Sequence, residues 1–216
     1  MTKDGFGKPA ATQIVAKPLK RPRQARAVFT VEAIFEALVR IWQRQGWSAV
    51  TTRSVALEAG VAVGTLYDYF PSKHALISGL VRFHIEKLLQ RIDKEVIALE
   101  CDWQTRIRTL ITICCAGTHP LYSLEMWQLE PEIAEPKHQK RAFEELAGRW
   151  HLALKACTDL PCEPSYELAE SLFLMAWGGR RYAVLGQLSQ ARQDSWITHM
   201  EQAFTAVIKC RQSGCD

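Results

Sequence analysis

The sequence predicts an all-α protein, with an amino-terminal helix-turn-helix unit followed by a larger helical domain. Three observations predict this. Apolar residues recur at three- and four-residue spacing along most of the chain, and no strand-like alternation persists. Glycine and proline interrupt that spacing at Gly46, Gly60, Pro120, Pro136 and Pro164, at intervals that suit helices. Between Thr51 and Lys73 two short helical patterns meet at Gly60, too close together for either to bury its apolar side alone.

The chain begins with a basic segment. Residues 1–80 hold 11 Lys and Arg against 5 Asp and Glu, a net charge of +6, whereas residues 81–216 carry a net −2. Lys17, Lys20, Arg21, Arg23 and Arg26 form an acid-free run broken by Pro18 and Pro22, which predicts an arm without structure of its own. Such an arm suits a minor groove or a phosphate backbone, and equally a solubilising tail.

A first helix is written from about Thr30 to Gln45 by Val31, Ile34, Phe35, Leu38, Ile41 and Trp42, with Gly46 just past its end. The second is carried by Val55, Ala56 and Ala59. Thr52 is placed to cap it, and Gly60 supplies the left-handed residue that ends it. The third runs from about Val63 to Phe70 with Leu66 and Phe70 inward. A fourth, long helix starts near Ser72 and continues to Leu99 along Leu76, Ile77, Leu80, Ile85, Leu88, Leu89, Ile92 and Val96. Within it, Gly79 either permits a bend or accommodates packing. Further helices are predicted near 103–118, 121–128, 137–158, 165–186 and 195–211.

The third helix has an unusual outward face. It shows Val63, Gly64, Thr65, Tyr67, Asp68 and Tyr69, and a glycine in its first turn weakens a helix by ~1 kcal/mol against alanine. Close approach of the backbone to another macromolecule is one reason to keep it. A small, mildly apolar tip with hydroxyls fits a major groove, where Val63 and the Thr65 methyl can meet thymine methyls. The bland alternative is a helical hairpin that binds no DNA.

Thr51-Thr52-Arg53, Ala56, Ala59-Gly60-Val61, Gly64-Thr65-Leu66-Tyr67, Tyr69-Phe70, Lys73 and Ala75-Leu76 together resemble the DNA-binding signature of the TetR/AcrR family of bacterial transcriptional regulators. The likeness is dense over about Phe29 to Leu80. Two positions depart from it: Val55 stands where a longer aliphatic residue is usual, and Ala62 where many members have a capping serine. The resemblance implies that Thr52, Arg53, Val63, Gly64, Thr65, Tyr67, Tyr69 and Lys73 contact double-stranded DNA. It divides the chain into an arm (1–27), a three-helix DNA-binding domain (28–75, with the helix-turn-helix at 51–70) and a helical regulatory domain (76–216). The linking helix is 72–99.

In the regulatory half, large polarizable side chains gather, among them Trp103, Cys115, His119, Tyr122, Met126, Trp127, Trp150, Phe173 and Trp177. In a family whose members often bind small molecules, these resemble a pocket for an apolar or aromatic inducer; read without the family, they are core. The resemblance also implies a homodimer through the last two helices, 165–186 and 195–211. There Leu172, Ala176, Gly179 and Ala183 form a small-residue track, with Phe204 and Ile208 on the other helix.

With no apolar run near 18 residues and no signal-peptide core in MTKDGFGKPAATQ, a cytoplasmic protein with no membrane partner is expected. Seven cysteines without a paired spacing make a poor disulfide framework. Cys114, Cys115 and His119 lack a second ligand pair, so no metal is expected. No phosphate loop or activated nucleophile is evident, so neither an enzyme nor a cofactor is expected. The expected function is a ligand-released repressor on a palindromic operator. The alternatives are a helical interaction protein and a redox- or metal-responsive regulator.

Overall fold

The structure, a computed structural model, describes residues 25–115 and 136–212, together with Pro18. Among these residues every regular element is helical, as the spacing predicts. The elements are α1 (Ala25–Gln45), a 3₁₀ turn (Trp47–Ala49), α2 (Thr52–Glu58), α3 (Val63–Tyr69), α4 (Lys73–Ile92), a π-helical turn (Asp93–Ile97), α5 (Trp103–Cys115), α6 (Pro136–Lys155), α7 (Tyr166–Leu185) and α8 (Gln190–Gln212). None of the described helices is long and apolar enough to cross a membrane. The predicted helix at 121–128 lies outside the described residues.

The chain divides into two compact units, Met1–Gly79 and Leu80–Asp216. In the first, Ile34, Phe35, Leu38 and Ile41 of α1 are buried with Val55, Ala56, Leu66, Phe70, Leu76 and Ile77. The Phe35 and Phe70 rings meet at 5.3 Å. Above that pair sits Gly79, where a Cβ would come within 2.6 Å of the Phe70 ring and 3.2 Å of Phe35. Of the two readings of this glycine, packing is the one observed. On the outside, Glu58 of α2 accepts from Arg40 (2.9 Å) and Arg44 (2.5 Å) of α1.

The first helix starts at Ala25, earlier than Thr30, because Ala25 to Phe29 extend it without adding to the apolar stripe. The arm assigned to 1–27 is therefore corrected at its end: Ala25, Arg26 and Ala27 are helical. Lys17, Lys20, Arg21 and Arg23 lie outside the described residues.

The second unit has one continuous core. Ile85, Leu88, Leu89 and Ile92 of α4 join Trp103, Ile107, Leu110, Ile111 and Cys114 of α5, Leu146 and Trp150 of α6, Leu168, Leu172 and Phe173 of α7, and Phe204 and Ile208 of α8. The helix expected to run unbroken to Leu99 changes pitch after Ile92. Ala98 N–H reaches back five residues to the Asp93 carbonyl at 3.0 Å. Arg106, buried on α5, donates to the carbonyls of Val96, Ile97 and Leu99, so a side chain of the next helix closes this helix end.

Candidate functional site

The second helix is entered through a reciprocal cap. Thr51 Oγ1 accepts from the Ser54 N–H and Ser54 Oγ accepts from the Thr51 N–H, both at 3.0 Å. The cap is thus Thr51, not Thr52 as the sequence reading has it. Released from capping, the Thr52 hydroxyl instead shares a 3.0 Å hydrogen bond with the Tyr67 phenol. At the other end Gly60 has φ +68°, its N–H bonds to the Leu57 carbonyl, and the Val61 N–H bonds to that of Ala56. This double closure turns the chain into α3 within four residues.

Leu66 fixes α3 by burial, and the opposite side is open: Val63 is 39% exposed, Tyr67 45%, and Gly64 and Asp68 are exposed beside them. A Cβ at Gly64 would meet nothing within 4 Å, so no contact inside the chain calls for a glycine there. Ala62, at the N-cap, makes no side-chain cap. Thr65 and Tyr69 are half-buried flanks, and Arg53 is exposed on α2. Lys73, the first residue of α4, holds its ammonium 4.0 Å from the centre of the Trp47 ring, which in turn stands edge-on to Trp42 at 5.2 Å. Trp47 was not among the predicted site residues; its contact with Lys73 spans 26 positions and leaves no mark in local spacing.

In the second unit, four of the proposed ligand residues come together. Phe173 lies 5.8 Å from Trp150 and 5.5 Å from Trp177, and Cys115 Sγ donates to the Ala176 carbonyl at 3.7 Å. Phe143, absent from the predicted set, extends this wall at 5.2 Å from Phe173. Trp103 does not join it: it begins α5 and Cys115 ends it, so a helix of about 18 Å separates them. His119, Tyr122, Met126 and Trp127 lie outside the described residues. Burial pushes the Cys114 thiol up to about 11, against the pull of Trp150, Arg180 and Arg91. Burial raises Cys115 further still. Both are neutral thiols at pH 7 and poor redox centres. Among the described residues no group of three His, Cys, Asp or Glu side chains could hold a metal.

Residues 34–80 match the model of the bacterial regulatory proteins of the tetR family, and that range holds the whole of α2, the turn and α3. That amino-terminal segment is a tetR-family regulatory domain. The HTH-type transcriptional repressor KstR of Mycolicibacterium smegmatis is 46% identical over 66 residues, 30% of this chain and 32% of that one. The nucleoid occlusion factor SlmA of Vibrio vulnificus is 35% identical over 86 residues, 39% of this chain and 43% of that one. The chain thus spans less than half the length of the curated relatives it matches. The fatty acid degradation regulator FadR from Bacillus halodurans superposes with a TM-score of 0.62 at 16% identity, covering 85% of this chain and 96% of that one. That last likeness is one of fold.

Most of the residues expected at a TetR-type dimer interface lie in the interior of the single chain. Leu172, Ala176, Ala183, Phe204 and Ile208 are buried inside a single chain, and a Cβ at Gly179 would run into the Trp196 indole of α8. The small-residue track lets α7 and α8 of one chain approach each other. Spacing reveals that a face is apolar, not whose helix covers it. The outward faces are different ones: Leu174, Met175, Gly178 and Tyr182 recur along α7, and His199, Ala203, Ala206 and Val207 along α8.

Proposed function

We propose that the protein is a sequence-specific DNA-binding transcriptional regulator, a repressor that holds a palindromic operator as a homodimer and releases it to a small, mainly apolar or aromatic ligand. Gly64 carries this reading. It weakens α3 by ~1 kcal/mol relative to alanine, and nothing in the fold needs the space it leaves. Close approach to a duplex explains it: Val63, Thr65 and Tyr67 would enter the major groove, with Arg53, Tyr69 and Lys73 on phosphates. The likeness to KstR, a transcriptional repressor by name, supports the same reading.

One helix-turn-helix reads one half-site, and half-sites lie about 34 Å or a multiple apart, so a two-fold dimer suits the task. The exposed stripes of α7 and α8 are the surfaces for it. Ligand binding in the second unit would act through α4, whose first residue is Lys73 and whose second half is buried in that unit's core. A coupling of about 1–3 kcal/mol would loosen DNA roughly 5- to 150-fold.

The test compares wild type with Gly64→Ala on DNA selected from a random pool by the purified protein. Wild type should enrich an inverted repeat. Gly64→Ala should melt no lower than wild type yet lose that DNA, since the added methyl favours the helix and obstructs only the partner. Full binding by the variant, or no enrichment by wild type, would defeat the reading.

A further inference from the structure

Near the carboxy-terminal end of α5 stands an arginine that, among the described residues, has no carboxylate partner. Arg180 of α7 spends one of its N–H groups on the Cys114 carbonyl at 2.9 Å and lies 5.6 Å over the Trp177 ring. Among the described residues no carboxylate pairs with it. Its neighbours in the same unit are treated otherwise. Arg82, Arg91, Arg108, Arg141 and Arg149 each meet a Glu or Asp at 2.5–2.9 Å, and Arg106 is taken up by three backbone carbonyls. A guanidinium has five donors, which leaves most of Arg180's capacity unused.

A second donor flanks the same point. Trp150 is 1% exposed and its indole N–H reaches no acceptor in hydrogen-bonding geometry. The Cys114 sulfur lies near enough to feel both Trp150 and Arg180, but its thiol stays protonated and is a weak acceptor. A buried donor such as this indole N–H is almost always met by something, whereas Arg180 is half-buried and partly open to solvent. Beside them stands the half-buried Trp177 ring, which offers an apolar bed and no acceptor. Among the described residues no acid would offset the repulsion between a cationic ligand and Arg180, and a neutral ligand would not pair its charge.

We propose that the ligand of the carboxy-terminal unit is an organic acid, its apolar body against the Trp177 ring and its carboxylate received by the Arg180 guanidinium. This rests on the reading of that unit as ligand-binding and specifies the ligand's class. The planar fork of arginine matches two carboxylate oxygens, so the acid should be distinguished from its alcohol and its amine.

The test titrates the full-length protein calorimetrically with two matched sets: 2-naphthoate, 2-naphthylmethanol and 2-naphthylmethylamine; then octanoate, octanol and octylamine. In at least one set the carboxylate should bind about tenfold or more tighter than the alcohol, with the amine weakest. Arg180→Gln should bring the acid down to the alcohol while leaving the alcohol's own Kd within roughly twofold. Equal or tighter binding of alcohol or amine to wild type overturns the proposal and leaves the ligand-binding reading standing, as does an acid preference that survives in a folded Arg180→Gln. Failure of all six compounds to bind overturns both. If Arg180→Gln does not fold, the wild-type ranking decides alone, with Arg180→Lys expected to keep a reduced preference.

Discussion

The Thr52 hydroxyl and the Tyr67 phenol share a 3.0 Å hydrogen bond that ties the first turn of α2 to the exposed side of α3. Two residues proposed to touch DNA therefore hold one another in place beforehand. Thr52→Val and Tyr67→Phe remove the bond with little change of shape. In a double-mutant cycle on DNA affinity the pair should show coupling of about 0.5–1.5 kcal/mol. Strict additivity would mean that the bond contributes nothing to recognition.

The perch of Lys73 on Trp47 separates position from charge. Lys73→Gln should weaken DNA binding and reduce the slope of log affinity against log salt by about 0.9. Trp47→Leu keeps the ammonium but not the ring beneath it, so affinity should fall about two- to fivefold at an unchanged slope. Salt titrations of the two variants side by side distinguish these outcomes.

Gly79→Ala should destabilise the first unit by about 1–3 kcal/mol, because the new methyl would press on the buried Phe70 and Phe35 rings. Thermal melting by circular dichroism measures this. An unchanged melting temperature would show that the ring pair yields without cost.

Glu58 gives the first unit an acid-sensitive clamp. Its hydrogen bond to Arg40, with Arg44 adding to it, lowers the carboxyl's pKa in the folded state against an opposing effect of burial. A lowered folded-state pKa contributes stability above the unfolded value, and that contribution disappears as pH falls through the folded value. Glu58→Gln should therefore be less stable than wild type at neutral pH, with the gap closing below about pH 4. Chemical denaturation at several pH values follows it.

The outward stripes of α7 and α8 are tested by charge. Met175→Glu and Tyr182→Glu, at positions 42% and 73% exposed, should leave helical content intact yet yield monomers by sedimentation and weaken DNA binding. A dimer that persists in the double variant would place the interface elsewhere.

The amino-terminal unit was legible because its punctuation is local. Gly60 must take a positive φ, Leu66 and Phe70 keep helical spacing, and the exposed run from Val63 to Tyr69 is contiguous. Even there the cap was displaced by one residue, since two threonines adjoin and only the position of the Ser54 hydroxyl selects Thr51. The second unit was less legible because distant partners set its details. Arg106 determines where the α4 region ends, Trp196 explains Gly179, and Arg180 stands out only once Arg82, Arg91, Arg108, Arg141 and Arg149 are seen to have carboxylate mates. Spacing encodes none of these.

The arginine that closes the end of the α4 region has one more consequence. It holds backbone carbonyls, which take up no proton in mild acid. That joint should keep its grip in mild acid, whereas the carboxylate fastening of α1 to α2 loosens. Acid should therefore loosen that fastening, and with it the Glu145 and Glu95 pairs of the second unit, while this joint still holds.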